Sequence, residues 1–197
     1  MLEFWIYFEK GLRHVLNLFA YDHILFLIVL TVPYAFKDWK RLLLLISIFT
    51  IGHTLALMLS VFGVIILRGN LADFLIPITI IAVAFFNLFT SGKSSKQESI
   101  SIIGLVTLFF GILHGLGFAA YFKTIHTGSP QSKLLPLLEF AFGIETSQII
   151  VIFIVLILSY IVQTLFRFSK RDWTLVMSSF VIGVVLPMIL QSEFWNR

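Results

Sequence analysis

Apolar runs too long and too poor in charge for a water-soluble helix constrain this chain most. Residues 42–67 contain no charged side chain, and 134–166 contain only Glu139 and Glu145. A stretch of about 18 or more apolar residues with few charges reads as a transmembrane helix. Only 12% of the residues are charged, against about one quarter in soluble domains. A water-soluble globule is therefore excluded, and the expectation is an all-α, polytopic helical membrane protein.

The spans follow from the breaks between apolar runs. Leu2–Leu18 mixes aromatic residues with Glu3, Glu9, Lys10 and Arg13, the pattern of an interfacial or re-entrant helix. A first span is expected over Tyr21–Phe36, a second over Leu42–Leu67 and a third over Leu71–Phe89. Between the last two, Arg68-Gly69-Asn70 reads as a tight turn. The hydrophilic Ser91–Ser99 precedes a fourth span over Ile100–Phe122. A polar loop, Lys123–Lys133, then leads to a fifth over Leu134–Phe166. That segment is longer than a bilayer needs, so it should tilt, kink or project beyond it. The sixth span is Trp173–Leu190. About six transmembrane helices and one N-terminal partial helix thus form a single integral membrane domain, 1–197, with no internal repeat.

Basic residues suggest the orientation. Lys37, Lys40, Arg41, Lys93, Lys96, Arg167, Lys170 and Arg171 follow the odd spans; Lys10, Arg13, Arg68, Lys123, Lys133 and Arg197 lie on the other side. The positive-inside rule then places both termini outside the cytoplasm. Acidic Glu3 and Glu9, with no small-residue cleavage site after them, argue against a secretory signal. The net charge of +4 is spread over loops and gives no footprint for nucleic acid. No cysteine is present, which excludes disulfides and thiolate metal ligands.

Against this background the ionisable residues inside spans become conspicuous, because such groups are costly in a bilayer and mark functional sites. His14 precedes the Asp22-His23 pair at the mouth of the first span. His53, His114 and Glu145 lie within the second, fourth and fifth. Counted along their helices at ~1.5 Å per residue, they reach compatible depths in the middle and outer half of the membrane. Imidazole and carboxylate together form a ligand set for divalent transition metals. The candidate metal residues are therefore His14, Asp22, His23, His53, His114 and Glu145, supported by Thr50, Thr54 and Gln148. Glu139 reads as rim, and His126 as a solvated loop residue.

Several strings carry a resemblance. His14 with Asp22-His23, Phe49-Thr-Ile-Gly-His53-Thr-Leu55, Phe110-Gly-Ile-Leu-His114-Gly-Leu-Gly-Phe118-Ala119 and Phe140-Ala-Phe-Gly-Ile-Glu145-Thr-Ser-Gln148 resemble the HupE/UreJ family. Its members are regarded as nickel permeases or as accessories of hydrogenase and urease maturation. The likeness implies a metal-site role for the six ionisable residues, nickel as the handled ion, a bacterial inner-membrane location and metalloenzyme-maturation proteins as partners. The chain has Phe86-Asn87 where the family often shows Glu-Asn, Ala141 for an expected asparagine and Ser147 for an expected glycine.

Two functions compete at this stage. In one, the site binds and passes a divalent ion such as nickel. In the other, a permanent zinc activates water for hydrolysis within the membrane, with Asp22 or Glu145 as general base. A metal-free structural or sensor role is the third possibility.

Overall fold

Seven α-helices account for nearly all of the residues described by the computed structural model, which are 2–19, 21–65, 67, 69–91, 100–125 and 134–195. They are α1 (Leu2–Val15), α2 (Asp22–Thr31), α3 (Trp39–Val61), α4 (Gly69–Thr90), α5 (Ile100–Ile125), α6 (Leu134–Leu165) and α7 (Lys170–Leu190). Short 3-10 turns occupy Phe36–Asp38 and Glu193–Trp195. No strand occurs among the described residues. His126, Arg68 and most of the Ser91–Ser99 and Lys123–Lys133 loops lie outside them.

Helices α3, α4, α6 and α7 are each long and apolar enough to cross a bilayer. Helix α5 has 26 residues, and 100–122 within it carry no acidic or basic side chain other than His114. The chain is an integral membrane protein in contact with lipid. Helix α6 is one unbroken element of 32 residues, about 48 Å long by rise. It therefore exceeds the roughly 30 Å hydrocarbon core, as expected from its sequence.

The expected first span needs correction. Helix α2 has ten residues, about 15 Å by rise, so it cannot cross a bilayer alone. It stops at Val32-Pro33: Val32 still has helical dihedrals and donates to Ile28 O at 3.0 Å, but Pro33 has no N–H with which to continue the ladder. The chain then turns through the 3-10 segment into α3. Buried side chains face every direction around α2, so the bundle encloses it. Its broken end is satisfied inside the protein: Asn87 Nδ2 donates to Val29 O at 2.7 Å, and Thr174 Oγ1 donates to Val32 O at 3.2 Å. Non-helical backbone at membrane depth is tolerated only where protein or enclosed water supplies such partners.

Other boundaries shift by a few residues. Helix α3 begins at Trp39 and ends at Val61 rather than running to Leu67, because the chain turns at Gly63, whose φ is +80°. Gly69 and Asn70, expected in a turn, instead open α4. Helix α7 begins three residues before the expected span, where Ser169 Oγ accepts from Asp172 N at 3.1 Å and caps it.

Two close helix crossings position everything that follows. Along α3 and α5, an added Cβ at Gly111 would strike the carbonyl of Phe49, and one at Gly115 the carbonyl of His53. Along α1 and α6, Gly11 lies against the carbonyl of Phe140 and Gly143 against that of Phe8. Helix α1 is thus a partial helix running antiparallel to α6, held by backbone approach as small residues permit in membranes. Its C-terminal end, carrying His14, arrives beside the start of α2.

Candidate metal centre

Four helices each deliver one histidine to the same interior region. His14 comes from the last turn of α1, His23 from the first turn of α2, His53 from α3 and His114 from α5. His14, His23 and His53 each offer one ring nitrogen, and these three atoms lie within 4.8 Å of one another. Ring centroids are 4.6 Å apart for His14–His23, 6.0 Å for His23–His53 and 6.2 Å for His14–His53. His114 stands beside this triad, with its ring 5.0 Å from that of His23.

Two contacts orient these rings. His23 Nδ1 donates to Asp22 Oδ1 at 3.2 Å, and His114 Nδ1 donates to the Phe110 carbonyl at 2.9 Å. Carboxylate and carbonyl oxygens only accept, so both rings carry the proton on Nδ1 and leave the Nε2 lone pair available. A histidine that binds a metal through one nitrogen while its other N–H donates to a carboxylate or carbonyl is a recurring arrangement.

The remaining ring atoms are the informative ones. Among the described residues, Nε2 of His14, His23 and His114 is buried without a hydrogen-bond partner, as are both ring nitrogens of His53. His53 is fully buried, and His23 and His114 nearly so. A buried polar atom left unsatisfied costs about 1–3 kcal/mol. Several such atoms in one cluster form a donor set that a cation completes, so the residues present fit a divalent metal.

Aromatic rings wall the cluster. Phe26, Phe49 and Phe110 each lie one helical turn from His23, His53 and His114, on the side away from the α2 N-terminus. The Phe26 and Phe49 rings stack at 5.0 Å, and Phe110 lies 5.8 Å from Phe26. On the α6 side, Phe118 packs 3.8 Å from His14 and stacks on Phe140 at 4.9 Å. These rings keep water out and leave the histidines facing one another. His53 lies about 12 Å from the C-terminal end of α3 by rise, so the cluster sits nearer that face of the bundle.

The other expected site residues divide into two groups. Asp22 belongs to the cluster through His23. Glu145 does not join the histidine triad. Ser47 Oγ donates to Glu145 Oε1 at 2.5 Å, and one turn further on Thr50 Oγ1 donates to Gln148 Oε1 at 3.0 Å. The two pairs lie side by side between α3 and α6 and form one polar seam. Ser47 lies about 9 Å by rise from His53, towards the start of α3. Gln148 is fully buried and its Nε2 has no partner; the same holds for the Thr54 hydroxyl. Glu139, read from sequence as rim, is buried.

The described region does not stop at the residues singled out from sequence. Phe118 was legible as the last residue of the His-Gly-Leu-Gly-Phe string, although its role as a ring packed on His14 was not. Asp73 and Glu193, which border a pocket ending on Asp22, carried no local signal, because each stands far in sequence from its neighbours in space.

The HupE / UreJ protein family matches residues 1–192, essentially the whole chain. The chain belongs to the HupE/UreJ family. No curated protein and no solved structure matches it. Membership agrees with the helical membrane architecture, and the family is associated with metal handling.

Proposed function

We propose that this HupE/UreJ protein binds a divalent transition-metal ion, nickel or its close neighbour cobalt, at the histidine cluster and conducts it across the membrane. His14, His23 and His53 are the primary ligands. His114 completes or exchanges within the set, and Asp22 orients His23 and offsets the charge of the ion. The observation that carries this reading is the convergence of His14, His23 and His53, which bring one ring nitrogen each within 4.8 Å of the others, and each of which has a buried nitrogen with no hydrogen-bond partner among the described residues. Imidazole nitrogen suits nickel, cobalt and zinc, and the lack of thiolates disfavours copper(I).

Passage rather than permanent retention is supported by the polar seam. A transported ion must bind well enough to enter and weakly enough to leave. Ser47, Thr50, Glu145 and Gln148 form a polar patch between α3 and α6, offering oxygen ligands on the α3 turns that precede His53. Glu145 thus takes the role of a second station. By the distribution of lysine and arginine, the histidine cluster faces the outside of an inner membrane, the C-terminus lies outside, and metal moves inward; the N-terminus, expected outside, instead points inward, because α1 runs antiparallel to α6. Enzyme-maturation proteins would then receive the ion on the far side.

A zinc hydrolase is the alternative, because three histidines with an open position also describe catalytic zinc sites. In that reading Asp22, whose Oδ1 accepts from His23 Nδ1, is the general base through its second oxygen.

The test is metal titration of purified, chelator-treated protein, followed by uptake in proteoliposomes. One exchangeable Ni2+ or Co2+ per chain, lost in His53→Ala, is expected, together with uptake abolished by the same change. Tightly held zinc that survives chelation would favour the hydrolase, and binding unchanged in His53→Ala would refute the site.

A further inference from the structure

The face of the bundle that carries the start of α2 also holds an open pocket of about 330 Å³, formed where α4 begins and α7 ends. Three carboxylates border it: Asp22, Asp73 and Glu193. Gln191 adds a polar wall, and Met188 and Pro77 an apolar one. The pocket is built by the tail of the chain. Beyond α7, the 3-10 turn Glu193–Trp195 folds back, and Phe194 stacks on Phe74 with ring centroids 4.4 Å apart and planes 11° from parallel. That stack places Glu193 on the same pocket as Asp73.

Asp22 belongs to two places at once. It borders the pocket, its side chain retains 20% exposure, and its Oδ1 accepts from His23 Nδ1. His23 is 3% exposed, with Nε2 unpartnered in the histidine cluster. Asp22 and His23 therefore link the pocket to the histidine cluster. Carboxylates lining a cleft with low-dielectric walls focus the field and concentrate cations, raising association rates by about 10- to 1,000-fold. The size agrees with the charge. The pocket is open and large enough to admit an ion that still carries water.

We propose that this pocket is the vestibule through which a hydrated divalent cation reaches the histidine cluster. The inference rests on the metal-binding reading above and adds the route and the residues that govern it. Asp73 and Glu193 gather the hydrated ion at the mouth. Asp22 then takes it on its free oxygen, and the imidazole nitrogens replace its water one by one. The order follows ligand chemistry: oxygen ligands hold a hydrated ion loosely, whereas imidazoles bind nickel or cobalt more firmly. Anions are repelled by the same three carboxylates.

The natural chain has no cysteine, so a single introduced thiol is a clean probe. Purified full-length protein is mixed with Co2+ in a stopped-flow instrument, and loading is read from the visible absorption of the bound ion. Met188→Cys is measured before and after reaction with a bulky water-soluble thiol reagent, and the Asp73→Asn/Glu193→Gln double variant is measured at low and high salt. Labelling should stop or strongly slow loading. The double variant should load about tenfold slower at low salt, lose most of its salt dependence and still bind one ion per chain at long times. Wild-type loading rates in both labelled and neutralised proteins would overturn the vestibule while leaving the metal site standing. If wild-type protein takes up no Co2+, both the metal site and the vestibule are overturned.

Discussion

Gly115→Ala tests whether the α3–α5 crossing sets the geometry of the histidine cluster. A Cβ at this position would lie 2.9 Å from both the Cα and the carbonyl carbon of His53, and closer still to its carbonyl oxygen. Carbon atoms in favourable contact are about 3.5–4.0 Å apart, so the helices must separate by at least about 0.6 Å. Metal–ligand distances tolerate only about ±0.2 Å. The methyl group thus moves His53 by about three times what a preformed site can absorb. Overpacking costs about 1–3 kcal/mol, offset by up to about 1 kcal/mol because alanine is the better helix former. Gly183→Ala is the matched control. It lies mid-helix in α7, and an added Cβ meets nothing within 4 Å, so it should gain stability and leave metal binding alone. Thermal unfolding followed by circular dichroism, with calorimetric Ni2+ titration, reads both effects. If Gly115→Ala binds Ni2+ like wild type and melts no lower than Gly183→Ala, the crossing does not hold the site.

Four further outcomes follow from the same contacts. Asp22→Asn removes the charge that fixes the His23 tautomer, and should weaken metal affinity by about 10- to 100-fold with little change in melting; calorimetry checks it, and unchanged affinity contradicts the role given to Asp22. Asn87→Ala strips the Nδ2 donor from Val29 O at the broken end of α2; it should cost about 1–3 kcal/mol, seen as earlier thermal unfolding, and a wild-type melting curve would show that another group satisfies the carbonyl. Metal retention should fall as pH drops from about 7 to about 5, because protons compete for the imidazole nitrogens that bind the ion; equilibrium dialysis across that range would expose a flat response if the imidazoles are not the ligands. Glu145→Gln keeps an oxygen acceptor for Ser47, so binding at the cluster should persist while proteoliposome uptake slows, and equal uptake would reduce the seam to packing.

Much of this architecture is dictated locally. Unbroken apolar runs with few charges force helices into a bilayer, since no other open structure there satisfies its own backbone. For the same reason His14, Asp22, His23, His53 and His114 stood out without any knowledge of packing: an ionisable group in an apolar run is expensive wherever the helix goes. Helical rise also placed His53 and His114 at similar depth, because 1.5 Å per residue holds in every helix.

What the sequence left open depends on rotation about each helix axis and on which helices meet. Depth matching grouped Glu145 with the histidines, yet its carboxylate is bonded to Ser47, because rise along an axis carries no information about the direction a side chain faces. Tyr21–Phe36 read as a span by hydropathy, but only Asn87 and Thr174, from distant helices, allow the helix to stop at Thr31 inside the bundle. Gly111 and Gly115 stand in the sequence as part of the string around His114, whereas the carbonyls they admit, from Phe49 and His53, are set only by the packing of α3 on α5. Asp73 and Glu193 are separated by most of the chain and share a pocket only after α4 and α7 pack and Phe194 closes on Phe74. Local composition determined that a membrane-buried, metal-competent set of residues exists; long-range contact alone decided which of them face one another, and by what opening they are reached.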